Sequence, residues 1–88
     1  MAEGRPSVVL YTTDPCGYCQ RAKALLEARG IPFREVRLPR TAEGRARLAE
    51  VAPLARTFPI IVINGVPIGG YADLVDWDRA GRPAVGAP

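Results

Sequence analysis

The spacing of apolar residues changes several times along this chain, and each change marks an element. Val8-Val9-Leu10-Tyr11 is a short continuous apolar run. Such a run predicts a strand over residues 7–12, covered on both faces. Thr13-Asp14-Pro15 breaks it. Ala22, Leu25 and Leu26 then recur at helical spacing, with the stem of Arg29 at the margin, which predicts a helix over about 17–29. Gly30 stands where a left-handed residue ends a helix, and Pro32 prevents continuation. Residues 33–38 alternate imperfectly and carry Arg34, Glu35 and Arg37, as suits a strand near a sheet edge.

Thr41 is placed to cap a second helix over residues 42–52, with Glu43 in its first turn. Leu48, Val51 and Ala52 would face the core, and Pro53 stops the helix. Gly44 should weaken it by about 1 kcal/mol relative to Ala. Ile60-Ile61-Val62-Ile63 reads as a buried central strand. Asn64-Gly65 is a hairpin signal, and Val66-Pro67-Ile68 returns as an edge strand because Pro67 has no N–H for a ladder. After the turn at Gly69-Gly70, a last helix from Tyr71 or Ala72 to Ala80 buries Leu74 and Trp77 and exposes Asp76, Asp78 and Arg79.

The order is β-α-β-α-β-β-α, an α/β fold. The first two strands are parallel through a right-handed crossover and the last two form an antiparallel hairpin. A mixed four-stranded sheet with helices on both faces accommodates every element. Residues 1–7 read as a loose arm, 8–80 as the domain, and 81–88, with two prolines, as a tail that frays.

Composition narrows the chemistry. The chain has 88 residues, enough for one domain with a modest core. A net charge of +3, spread along the chain, argues against a nucleic-acid or membrane-surface partner. No apolar stretch approaches the roughly 20 residues of a membrane span, and the N-terminus lacks the centre of a signal peptide. A cytoplasmic location is the resulting expectation. There is no histidine, which removes imidazole acid–base chemistry and imidazole metal ligands.

The two cysteines, Cys16 and Cys19, are separated by Gly17-Tyr18 and lie where the first strand hands over to the first helix. They are half of a zinc site at most, and the chain holds no further Cys or His to complete one. In a reducing compartment a close pair at a helix start points to redox chemistry. Thiolates attack, and the unpaired N–H groups and positive dipole end of a helix start favour the anion. Cys16 would be the attacking sulfur. Cys19, one turn further in and more buried, would be the resolving one. Asp14 opposes the anion, and Arg21 and Lys23 are placed to offset it.

Four segments together resemble the glutaredoxin family: Tyr11-Thr12, Cys16-Gly17-Tyr18-Cys19-Gln20-Arg21-Ala22-Lys23, Arg56-Thr57-Phe58-Pro59, and Gly69-Gly70-Tyr71-Ala72-Asp73-Leu74. The likeness extends from about Val8 to Ala80. It implies a thioredoxin fold and glutathione-linked thiol–disulfide exchange, with no tightly bound cofactor and a monomeric protein acting on glutathionylated or disulfide-containing proteins. In the family the proline matching Pro59 is cis; the residues alone also allow a strand-initiating proline. A cis bond would turn the Phe58 backbone outward, to pair with the cysteinyl backbone of glutathione as an added strand supported by Thr57. The γ-glutamyl end would lie against Gly70, Tyr71, Ala72 and Asp73 at a helix N-terminus. Asp73 would both take its ammonium and cap the helix, the cap alone being the plainer reading of the residue, and Tyr18 would line the groove.

Three departures accompany the resemblance. Thr13 stands about where family members often carry a Lys for the glycyl carboxylate of glutathione, leaving Arg45 either as a substitute or as a solvated surface charge. Gly17 stands where Pro is commoner, which opens a second reading: a 2Fe–2S cluster shared by two subunits, with Cys16 and glutathione from each. Phe58 replaces the usual Val. A third reading is a thioredoxin-like electron donor, against which stand the short chain and the absence of Trp before the dithiol.

Overall fold

The computed structural model describes residues 6–86. The elements are β1 (Val8–Thr12), α1 (Gly17–Ala28), β2 (Arg34–Arg37), α2 (Ala42–Val51), β3 (Ile60–Ile63), β4 (Val66–Gly69) and α3 (Tyr71–Arg79). One four-stranded sheet has the order β2-β1-β3-β4. β1 pairs parallel with β2, and β3 pairs antiparallel with both β1 and β4. The charged strand and the Pro67 strand take the two edges, as their sequences require. β3, four β-branched residues in a row, is buried throughout at the centre.

The two faces are covered unequally. Val8, Leu10, Ile61 and Ile63 pack under α1 and α3 with Ala22, Leu26, Leu74 and Trp77. Ile60 and Val62 pack on the other face with Leu48 and Ala52 at α2. α2 alone covers that face, so Val9 and Tyr11 of β1 are only half-buried. The core is therefore deepest beneath α1 and α3, the pair that carries the site.

Gly44 has a use that helix propensity hides. α2 is capped by Thr41, whose hydroxyl accepts the Gly44 N–H at 3.1 Å. A Cβ at Gly44 would overlap the Pro39 carbonyl. The propensity penalty of about 1 kcal/mol is smaller than the disruption a side chain would cause at a backbone approach this close.

Two expectations are corrected. Residues 82–86 do not stand away from the domain: the Trp77 indole N–H donates to the Pro83 carbonyl at 3.0 Å, Asn64 Nδ2 donates to the Val85 carbonyl at 2.8 Å, and Val85 packs on the core. Gly and Pro content signals irregular backbone, which here is docked. Asp78 is not simply solvated, because Arg29 and Arg82 cover it at 2.9 and 2.6 Å. Val51 faces the core as expected, packing half-buried on the rim of the Leu48–Ala52 cluster where α2 ends. Of the proposed arm and tail, residues 1–5 and 87–88 lie outside the described residues. Ser7 is tied to Asn64, its N–H donating to Asn64 Oδ1 at 2.9 Å and its carbonyl accepting the Asn64 N–H at 2.8 Å.

Candidate active site

Because β1 and β2 are parallel, their C-terminal ends lie side by side, and so do the segments that follow. The Leu38 N–H donates to the Thr12 carbonyl at 2.8 Å, and the Thr13 hydroxyl donates to the Leu38 carbonyl at 2.8 Å. Thr13 is 2% exposed, so its hydroxyl is directed into the fold. Asp14 pairs with Arg37 at 3.1 Å, and the Arg40 guanidinium donates to the Pro15 carbonyl. The Asp14–Pro15 peptide is cis.

This anchored loop delivers Cys16 to the N-cap of α1 in extended conformation. Its sulfur accepts the Cys19 N–H at 3.0 Å, the place a serine or aspartate oxygen takes in an ordinary cap. Cys16 and Cys19 are joined as a disulfide, so the structure shows the oxidised state. Cys16 is half-buried and Cys19 is 1% exposed, and α1 carries no acidic residue in its first turn. Of the two joined sulfurs, the half-buried one stands at the positive end of a helix, while the other is enclosed.

The charges around the dithiol are arranged differently from the sequence-based expectation. Lys23 faces Glu35 at 3.2 Å, and Arg21 lies over the Tyr18 ring, 5.4 Å from its centroid. Asp14 is countered by Arg37 instead. Glu35 collects three donors: the Thr12 hydroxyl at 2.6 Å, Lys23, and Arg37 at 3.3 Å. These hold its carboxyl below the ordinary range, the Thr12 hydroxyl most strongly, against an opposing effect of burial.

On the other side of Tyr18, the Phe58–Pro59 peptide is cis. Phe58 lies outside the β1–β3 ladder, whose first pair is Tyr11 with Ile60. Its side chain packs in the same cluster as Cys19. The Gly70 N–H, at the N-cap of α3, donates to Asp73 Oδ2 at 2.9 Å. Gly69 has φ +128°, and a Cβ there would overlap the Asp73 carboxylate. Tyr18 and Tyr71 stand with ring centroids 5.7 Å apart.

Between these segments runs a groove of about 310 Å³ lined by Tyr18, Thr57, Phe58, Pro59, Gly70, Tyr71, Ala72 and Asp73. Eight residues singled out in the sequence thus meet on one surface beside the dithiol. Arg45 is exposed on α2 and does not line it. Sequence reasoning missed Thr13, Arg37 and Arg40 as supports of the dithiol loop. The signal for them was the parallel β1–β2 pairing, which puts the residues after one strand beside those after the other.

A mixed sheet with a dithiol capping the first helix and a cis-proline opening β3 defines a thioredoxin-fold dithiol protein. Comparison with known proteins narrows this. The glutaredoxin family model matches residues 8–68. A glutaredoxin of Pseudomonas aeruginosa is 44% identical over 77 residues, covering 88% of this chain and 90% of its own. Among solved structures, glutaredoxin from Brucella melitensis superposes with a TM-score of 0.71 at 41% identity, covering 86% of this chain and 82% of its own. The buckwheat glutaredoxin–glutathione complex superposes with a TM-score of 0.74 at 29% identity, covering 88% of this chain and 72% of its own. The chain belongs to the glutaredoxin family. Family and dithiol together support thiol–disulfide oxidoreductase activity.

Proposed function

We propose that this protein reduces glutathione mixed disulfides and protein disulfides, with glutathione as co-substrate. The observation that carries the reading is the groove beside Cys16, which offers peptide backbone at Phe58 and a helix N-terminus at residues 70–73 to one small acidic peptide. The buckwheat relative, solved with glutathione, supports it.

The Cys16 thiolate attacks the glutathione sulfur of a mixed disulfide, and the protein thiolate leaves and takes a proton. Cys16 then carries glutathione. A second glutathione thiolate attacks that sulfur, releasing oxidised glutathione and restoring the Cys16 thiolate. Alternatively Cys19 displaces glutathione and closes the Cys16–Cys19 disulfide seen here. Within the bound adduct, Asp73 and the first N–H groups of α3 hold the γ-glutamyl end, Thr57 and Phe58 align the cysteinyl backbone, and Tyr18 closes one side.

Turnover of hydroxyethyl disulfide with glutathione tests the proposal. Cys19→Ser should keep deglutathionylation and lose dithiol-only reduction. Turnover sustained by a thioredoxin reductase and not by glutathione would sink it.

A further inference from the structure

Four consecutive residues leading into the dithiol are each held by the segment that ends β2 and follows it. Thr12 offers its carbonyl to the Leu38 N–H, Thr13 bonds the Leu38 carbonyl, Asp14 pairs with Arg37, and Pro15 accepts from Arg40. The last contact falls on the peptide that joins Pro15 to Cys16. It brings a guanidinium to within one residue of the surface sulfur.

Most charges around the dithiol are already matched. Arg37 is shared between Asp14 and Glu35, and Lys23 is paired with Glu35. Arg21 has no carboxylate within ion-pair distance among the described residues and lies over the Tyr18 ring, held away from the loop that carries Pro15, and the Asp73 carboxylate accepts from Gly70. Tyr18 and Tyr71 face each other across the groove. Arg56 precedes the groove strand and Arg45 stands out on α2. Among the described residues, Arg40 has no carboxylate within ion-pair distance, and its one hydrogen bond ends on the dithiol loop.

We propose that Arg40 is a positioning residue that fixes the Pro15–Cys16 peptide and sets an uncompensated positive charge beside Cys16. The Cys16 thiol then yields its proton to water more readily, and the attacking thiolate is present at lower pH. This rests on Cys16 being the attacking sulfur. Screened as it would be in bulk water, a neighbouring unit charge changes an ionisation constant about 3- to 10-fold.

The test is the rate at which iodoacetamide alkylates the reduced full-length chain, the thiolate forming a C–S bond as iodide leaves. Wild type, Arg40→Ala, Arg40→Gln and Arg40→Lys are compared, with Arg47→Ala as a control on exposed positive charge. Mass spectrometry locates the label. Below neutrality, Arg40→Ala and Arg40→Gln should react about 3- to 10-fold more slowly. Arg40→Lys should retain most of the rate, and Arg47→Ala should match wild type. Near pH 9.5, where the thiol ionises in every variant, all rates should converge.

Equal rates for Arg40→Ala and wild type below neutrality would overturn the proposal. So would full retention in Arg40→Gln, which keeps a donor without the charge. A loss that persists near pH 9.5 would also overturn it, because it marks a distorted loop rather than an altered ionisation. First labelling at Cys19 in wild type would remove the foundation itself, and it is told apart by the site of the label.

Discussion

α1 and α3 lie side by side and end their first turns in opposite ways. They meet at Tyr18 and Tyr71 near their starts, and Arg29 at the C-cap of α1 reaches Asp78 in the last turn of α3 at 2.9 Å. Each presents unpaired N–H groups and a positive end to the same groove. α3 answers this with a carboxylate, Asp73, in its first turn. α1 has no acid there, and its cap atom is the Cys16 sulfur. One helix start is electrostatically settled and forms a wall. The other is left to a cysteine sulfur, the group proposed to ionise and react. On the proposed function, the difference separates residues that make the surface from the residue that reacts on it.

The comparison breaks most severely at its reactive member. Cys16→Ser should lower glutathione-linked turnover at least about 10³-fold while leaving the thermal midpoint of the reduced protein nearly unchanged, because serine is itself a good N-cap. Appreciable residual turnover would show that α1 is not the reactive start. At the settled start, Gly69→Ala should cost about 2–3 kcal/mol in denaturant unfolding, since it combines φ +128° with an overlap on Asp73. An unchanged midpoint would mean that the turn before α3 is not fixed by that glycine.

Asp73→Ala should lose about 1 kcal/mol of stability as a lost cap. If the glutathione reading holds, it should also raise KM for glutathione about tenfold with little change in kcat. A stability loss with KM unmoved would leave Asp73 as a cap only.

The smallest effect lies where the two helices end. In the folded protein Asp78 is held below the ordinary carboxylate range, first by its hydrogen bond with Arg29 and then by Arg82, as Glu35 is by Thr12. Folding therefore favours the ionised forms. Their stabilisation is complete above about pH 4–4.5, where the unfolded carboxyls ionise, and is lost as pH falls through the lower folded values. Asp78→Asn should lower the urea midpoint at neutral pH and lose that effect in strong acid. An equal effect at both pH values would assign the loss to packing.

Much of the framework was legible because it is written locally. Ile60–Ile63 announces a central strand, Asn64-Gly65 a hairpin, and Pro67 an edge. The dithiol was legible for the same reason: two cysteines just ahead of a helical pattern have few other uses. What escaped depends on contacts across the sheet. Thr13 looked like a missing cation, yet its hydroxyl belongs to Leu38. Lys23 looked available to the thiolate until β2 brought Glu35 beside it. Gly44 read as a weakness because its neighbour Pro39 matters only once the backbone has turned. Propensity and periodicity describe residues within one element. These residues answer to another.

Asn64 sits in the turn beside the start of β1, at the end of the sheet opposite the dithiol, and bonds both Ser7 and Val85. The chain therefore enters and leaves the domain at one pole, and the groove opens at the other, a full strand length away. A bead, surface or fusion partner joined through either end would hold the dithiol outward. Immobilised in this way, the protein should keep whatever turnover it has in solution, toward large disulfide-containing molecules as well as small ones, a property useful for trapping substrates on a resin.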